Sequence, residues 1–433
     1  MDNDRSKRVA DAIALLCEEL GPDAGSMSSA SDVEAAAITL IRDVGRRVLT
    51  DVLQGKIDAG VNAAKQRGLV VERSTTVTFV GLYGPMKLRS PYLHRPGEGA
   101  RPAHDIGVVA RGRTRGVERA LADFGAEEAC ARAACRFEEH YGFEVGRTTV
   151  LRIVEEVASH AVELMAKKVG EGLAKFDEPL AENPGVPEML VEMDGCELRT
   201  GRLVDGPPEE RTPVRGLPKR KRTTEWRDVR LALARPMGEV EPTFAGGLAP
   251  YAEITQGLFG VVALRGLTSK TKVVAVADGG NGLMEALGEQ FPDMQFILDR
   301  PHFQEHVNET VAAMGLEGDA STRQIATWTA RVEAGNQAVV LADLKRYQGP
   351  GEERVERLHK HLTRFADSIH YDDYKARGWP IGSGEIESGH RYVPQKRLKL
   401  PGMWWTEKNL KAMMALRIVR ANGWWGALWL EAA

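Results

Sequence analysis

Three acidic signatures stand in order along the chain: Asp194-Gly195 after an apolar run, Asp278-Gly279 after a second, and a late Ile381-Gly382-Ser383-Gly384-Glu385-Ile386-Glu387-Ser388 segment. Carboxylates held close together repel, so a site built from them is costly unless cations neutralise it. Magnesium suits such oxygen donors, and two ions about 3.5–4 Å apart stabilise the attacking and leaving oxygens of a phosphoryl transfer. The chemistry expected is therefore metal-dependent phosphodiester cleavage, with Asp194, Asp278 and one late glutamate as ligands. Spacing does not choose that glutamate. Glu385 and Glu387 are two apart, about 200° around a helix, so only one of them can face the metals. Ser388 and His390 are left open between substrate contact and the outer face of the same helix.

The two aspartates need neighbouring strands that end together, because open α/β sheets hold ligands beyond the carboxyl ends of their strands. Residues 189–193 read as a strand ending at Asp194, with 198–203 returning beside it. Residues 227–233 read as a third strand, since Val229, Leu231 and Leu233 alternate. A helix near 250–265, an apolar strand at 272–277, a short helix at 283–291 and a strand at 294–298 follow. Residues 302–375 then turn helical, and 384–421 form the last long helical region. Apolar strands separated by helices imply a mixed sheet covered on both faces. This order is the layout of a ribonuclease H-like α/β fold with a helical insertion before its final helix.

Ahead of it lies a mainly helical region with a β-hairpin. Ser31 and Glu34 have capping-box spacing, and Val33, Ile41, Val44, Val48 and Val52 then recur near helical period, as if packed on another helix or a partner chain. Val77, Phe79, Met86 and Leu88 read as a hairpin across the 81–85 turn. Residues 127–139, a turn at Tyr141-Gly142 and a helix opened by Thr148 or Thr149 have the outline of a helix-turn-helix, in which Arg147, Thr149 and Arg152 would face a DNA groove; a plain helical pair is the other reading. The units expected are 1–68, 69–105, 106–178, 188–300 with 376–421 (catalytic), 301–375 (insertion) and 422–433 (an apolar tail with Trp424, Trp425 and Trp429).

The 433 residues are 27% charged and 43% hydrophobic, an ordinary soluble profile, with a formal net charge of -3. Nucleic-acid binding would thus need local basic surface. Between Glu387 and Arg420 eight basic residues face two acidic ones: Arg391, Lys396, Arg397, Lys399, Lys408, Lys411, Arg417 and Arg420 against Glu387 and Glu407. Arg215, Lys219, Arg220, Lys221 and Arg222 form a basic loop that could wall the same site. Trp404 and Trp405 stand between basic patches, suited either to stacking on an unpaired base or to packing. Asp299, His302 and His306 make a D-x-x-H-x-x-x-H pattern. Asp299 is expected to cap a helix and His302 to support the sheet or contact DNA, with a structural metal as the lesser reading. Four scattered cysteines give no disulfide framework; Cys130 and Cys135 read as small buried residues. No segment has the length to span a bilayer and no signal peptide is visible, so a cytoplasmic, nucleoid-associated protein is expected.

At this point the residues resemble a family, the DDE transposases of bacterial insertion sequences, particularly the Kra-type group related to Mutator-like elements. The resemblance rests on Val276-Ala277-Asp278-Gly279, on Phe291-Pro292 through Ile297-Leu298-Asp299 to His302, and on the Ile381–Ser388 segment. It continues through Arg397-Leu398-Lys399, Gly402-Met403-Trp404 and residues 410–417, and reaches back to Met193-Asp194-Gly195. It implies Asp194, Asp278 and Glu387 as the triad, thereby selecting Glu387 over Glu385. It also implies Mg2+ or Mn2+, two ions per site, cleavage at terminal inverted repeats, transfer of 3′-hydroxyl ends to target DNA, and a dimer or higher homo-oligomer. A domesticated DNA-binding derivative and a ribonuclease H-like nuclease for branched DNA are the alternatives. The chain departs from the family pattern at Asn281-Gly282, where relatives carry an aromatic residue, and near Tyr92, His94 and His104, where relatives often carry cysteines.

Overall fold

The structure, a computed structural model, describes residues 3–25, 29–180, 182–205, 220–280 and 282–430. The chain forms two compact units, 1–153 and 154–433. Arg215, Lys219 and Asn281 lie outside the described residues.

The first unit contains α1 (Asn3–Ala24), α2 (Ala30–Gln66), β1 (Val70–Gly81), β2 (Gly84–Arg95), β3 (Glu98–Ala100), α3 (Pro102–Asp105), α4 (Arg115–Glu127), α5 (Cys130–Tyr141) and the start of α6 (Arg147–Phe176). The hairpin forms in the register expected, with Val77 opposite Leu88 and Phe79 opposite Met86, and it is longer than the alternation suggested. Its inward residues share a core with Ile57, Val61 and Ala64 of α2. The capping box of α2 is Ser29 with Asp32, not Ser31 with Glu34. The Ser29 hydroxyl accepts the Asp32 N–H at 3.2 Å, and the Asp32 carboxylate accepts the Ser29 N–H at 3.1 Å. A second correction concerns the stripe Val33, Ile41, Val48 and Val52, which is exposed; the buried face of α2 lies further on, at Ile57, Val61 and Ala64. On α5 the buried face runs through Ala133 and Phe137, which leaves Cys135 exposed and Cys130 half-buried instead of internal. Gly142, at φ 76, ends α5 in the left-handed region that a non-glycine residue resists.

The second unit is a mixed α/β structure around a five-stranded sheet. Its strands are β4 (Glu188–Asp205), β5 (Arg220–Pro236), β6 (Thr243–Gly247), β7 (Lys272–Ala277) and β8 (Gln295–Leu298), in the order β6-β5-β4-β7-β8. β6, β5 and β4 are antiparallel neighbours, while β7 and β8 run parallel to β4. Five of the six β7 residues are buried, as a central parallel strand covered on both faces requires. α7 (Tyr251–Leu264) and α8 (Leu283–Gln290) connect the strands. The helical stretch after β8 consists of α9 (Arg300–Ala313), α10 (Gly318–Glu333), α11 (Gln337–Arg346), α12 (Glu352–Arg364) and α13 (Tyr371–Ala376). The final region is α14 (Gly384–His390), a π-helical turn (Arg391–Gln395), α15 (Lys396–Leu398), α16 (Glu407–Ala421) and α17 (Trp425–Leu430).

The strand-turn-strand expected around Asp194 does not form. β4 runs unbroken through Asp194 and Gly195 for 18 residues because β5 pairs with it over nearly its whole length, from Met189 opposite Pro236 to Asp205 opposite Arg220. The third antiparallel strand is β6, which the alternation at 227–233 did not reveal. The last helical region is broken by Pro394, which has no N–H to donate and sits in the π turn. Arg417 takes up carbonyls there: its Nε donates to Val393 O at 2.9 Å, and its guanidinium also reaches Tyr392 O.

Leu190 is fully buried in β4. Leu190→Ala is expected to destabilise the second unit by about 2–5 kcal/mol, read as a lower denaturation midpoint with no change in helix content at low temperature.

Candidate active site

Two buried carboxylates hold the late Gly-Ser-Gly-Glu segment against the sheet. Glu192, 1% exposed, accepts the Ile386 N–H at 2.8 Å. Asp299, fully buried after β8, accepts the Ser383 N–H at 2.9 Å and also the His302 N–H at 3.2 Å, the helix cap expected of it. These bonds satisfy N–H groups that the first turns of α14 and α9 cannot satisfy internally. Burial pushes the Glu192 carboxyl up to about 8, against the opposing pull of the Ile386 N–H. Its Oε1 is buried with no hydrogen-bond partner.

From that anchor the positions of the acidic residues follow. Glu192 and Asp194 share one face of β4, about 6.6 Å apart along the strand. Ile386 and His390 are one turn apart on α14, about 6 Å. The two spacings match, so as Ile386 bonds to Glu192, His390 meets Asp194, with Nε2 3.7 Å from Oδ2. His390 is 3% exposed, which excludes the outer-face reading of this residue. Asp278 is brought in by register. The last parallel pair of β4 and β7 is Glu192 with Val276, and two residues further on stand Asp194 and Asp278. Continued two residues past that pair, the register would set them roughly one strand spacing, ~4.8 Å, apart at backbone level. Asp194 is therefore at the end of the β7 pairing and not at the end of its own strand.

Burial raises the Asp194 carboxyl above its ordinary value; His390, the Gly195 N–H and His302 pull it down, while Asp278 pushes it up. Burial likewise lowers His390, with Asp194 and Asp228 opposing. Asp228 was not singled out from the sequence. It packs against Gly195, where a Cβ would lie 2.5 Å from its Oδ1, on the face of β4 away from Asp194, and acts on His390 only through its charge. Its other oxygen pairs with Arg230 at 2.8 Å. Gln395 and Lys399 act on the Cys196 thiol, which burial pushes up to about 11.

The two glutamates of α14 part company. Arg235 of β5 holds Glu385, its Nε 2.8 Å from Oε2. Glu387, about 200° around the helix from Glu385, is exposed. Among the described residues no three His, Cys, Asp or Glu side chains stand close enough together to hold a metal ion. Asp194 and Asp278 fit a hard divalent cation as neighbouring oxygen donors whose mutual repulsion a cation would relieve. Glu387 would have to swing in to join them.

The residues expected to meet DNA are scattered more widely. Arg391, Lys396 and Lys399 are exposed around the π turn, and His302 is half-exposed beside Asp299 and Glu305. Arg220, Lys221 and Arg222 are exposed on the outer part of the β4–β5 ribbon, where Arg220 pairs with Asp205 at 3.3 Å. Trp404 packs against Gly201 and carries Arg222 over its ring at 5.9 Å. Trp405 forms an isolated parallel bridge beside β4: its N–H donates to Arg199 O and its carbonyl accepts the Gly201 N–H. Arg397 is corrected: it is 2% exposed, with its guanidinium over the Trp405 ring at 5.1 Å, because the π turn rotates it inward. Arg417, also buried, leaves the basic cluster for the same interior.

No protein-family model matches the sequence, and no curated protein matches it. Among solved structures the chain is similar to a chain of the Drosophila P element transposase strand transfer complex, at 10% identity and a TM-score of 0.24, over 71% of this chain and 79% of that one. A likeness of that size carries no argument.

Glu192 makes the site pH-sensitive. A carboxyl raised from 4.5 to about 8 keeps its proton in the folded chain after the unfolded chain has lost it, so stability falls as pH rises through that window. Glu192→Gln keeps an acceptor for Ile386 and is expected to gain on the wild type between pH 5 and 8, by on the order of a few kcal/mol, in denaturation series run with a chelator. A pH-independent difference would count against this account of Glu192.

Proposed function

We propose that the chain is a divalent-metal-dependent DNA transposase of the DDE type, with a ribonuclease H-like catalytic domain, belonging to the Kra-type group of insertion-sequence enzymes. One observation supports the reading: β4 and β7 pair in parallel up to Glu192 and Val276, two residues before Asp194 and Asp278, while Glu192 and Asp299 hold the backbone of the segment that bears Glu387. The element order, three antiparallel strands, helix, strand, helix, strand, then a helical insertion and a closing helix, supports it.

In this reading Asp194 and Asp278 hold the cation, Mg2+ or Mn2+, and Glu387 completes its ligands. A divalent cation bound there supplies Lewis-acid stabilisation of a phosphoryl transfer. Glu385 does not compete, because Arg235 neutralises it on the other flank. His390 fills the space behind Asp194 and limits its rotation. Arg391, Lys396 and Lys399 offer cations to the phosphates on either side of the scissile one, and the Arg220–Arg222 ribbon offers more distant contacts that add affinity without sequence choice. The partners are terminal inverted repeats and target DNA, handled by a dimer or higher oligomer. No described helix is long and apolar enough to cross a membrane.

Purified protein incubated with its element-end DNA and Mg2+ or Mn2+ is expected to nick the ends or join them to target DNA. Asp278→Asn and Glu387→Gln should each reduce this by roughly a hundredfold or more, whereas Glu385→Gln should lower thermal stability and leave the metal requirement unchanged. A well-folded wild type that binds the ends without cutting them under either metal contradicts the proposal.

A further inference from the structure

The helical insertion does more than cover the sheet. His361 of α12 lies against the turn that follows Asp278: a Cβ on Gly279 would stand 2.4 Å from its Cε1 and 3.2 Å from its Nε2. That Nε2 is buried without a hydrogen-bond partner. The ring is 4.6 Å from that of His306 on α9, which the D-x-x-H-x-x-x-H pattern places one turn after His302. Beside this pair is a cavity of about 160 Å³ lined by His306, Thr310, Arg354, Arg357, Leu358 and His361. It has room for a few water molecules at about 30 Å³ each, or for one small polar group.

We infer that this cavity is a phosphate-binding pocket, and that it receives the phosphodiester group next to the one held at Asp278. Two guanidiniums present forked donors of the geometry phosphate oxygens accept. Their present partners, Glu309 for Arg354 and Glu353 for Arg357, are largely exposed, and exposed ion pairs exchange at little cost. Burial holds His361 down to about 4 and lowers His306 as well, so each ring is neutral near pH 7 and carries one N–H donor and one acceptor. In the tautomer with its proton on Nε2, His361 offers the Asp278 turn a donor with no protein partner, which a phosphate oxygen or a water bound to it would satisfy. The Gly279 position is what lets the ring approach so closely. The identity of the phosphate rests on the proposed function, because only a nucleic-acid substrate at Asp278 would continue into this pocket; the pocket itself does not depend on it.

The test uses the full chain with labelled histidines, the His306 and His361 resonances being assigned from His306→Gln and His361→Gln. Titration with inorganic phosphate, against sodium chloride at equal ionic strength, should move both resonances saturably, and Arg354→Gln with Arg357→Gln should weaken the effect about tenfold or more. Arg354→Lys with Arg357→Lys should recover part of it. No saturable response, or full binding by the glutamine pair, overturns the pocket. A short DNA duplex added to the non-cutting Asp278→Asn chain should move the same two resonances. A response to phosphate without one to the duplex overturns the DNA assignment. A wild type that cuts no DNA but still binds phosphate here would remove the proposed function and leave the pocket standing.

Discussion

The arrangement depends on two hydrogen bonds from the backbone of one short segment to buried acids: Ser383 N–H to Asp299 and Ile386 N–H to Glu192. Backbone donors at a helix start have no partner within the helix, and a carboxyl oxygen from another element supplies one. Because Glu192 comes from β4 and Asp299 from the end of β8, the two bonds fix both the position and the direction of α14 over the sheet. The rotation of α14 then assigns each of its side chains. Glu385 meets Arg235, Ile386 is buried, Glu387 is left exposed, and His390 comes down beside Asp194.

Fixing the helix in this way concentrates negative charge. Glu192, Asp194, Asp278, Asp299 and Glu385 act on one another across a partly buried region, and burial first, with this repulsion added, raises the carboxyls of Glu192 and Asp194. Arg235 offsets part of this charge through its pair with Glu385. Such a strained acidic region is a common property of sites that gain their full stability only with a cation bound, since a ligand that binds the folded chain stabilises it. The neutral histidines of the insertion, His306 and His361, add polar groups on the far side of Asp278 without adding charge.

Much of this was legible in the sequence, and the failures have physical causes. The β7 run of six and the helix-strand alternation from 250 to 298 were readable because buried parallel strands carry uninterrupted apolar residues. Asp299 was readable as a cap because a carboxylate before Arg300-Pro301 suits a helix start. The continuity of β4 was not: Asp194-Gly195 has the composition of a turn, and only the long pairing with β5 overrides it. Glu192 passed unnoticed inside an apolar run, although a charged residue two before Asp194 on the same strand face was itself a signal. The inward turn of Arg397 could not be read, because it follows from the π-helical step at Pro394. Neither could His361, which is distant in sequence and meets Gly279 only when α12 packs.

The central claim, that Asp194, Asp278 and Glu387 form one cation site, is tested most directly by Mn2+ binding to the full-length chain, followed by calorimetry or electron paramagnetic resonance. The account predicts saturable binding that is lost in Asp194→Asn and Asp278→Asn, weakened in Glu387→Gln and retained in Glu385→Gln. Binding that survives both aspartate substitutions, or that follows Glu385 in place of Glu387, would contradict it.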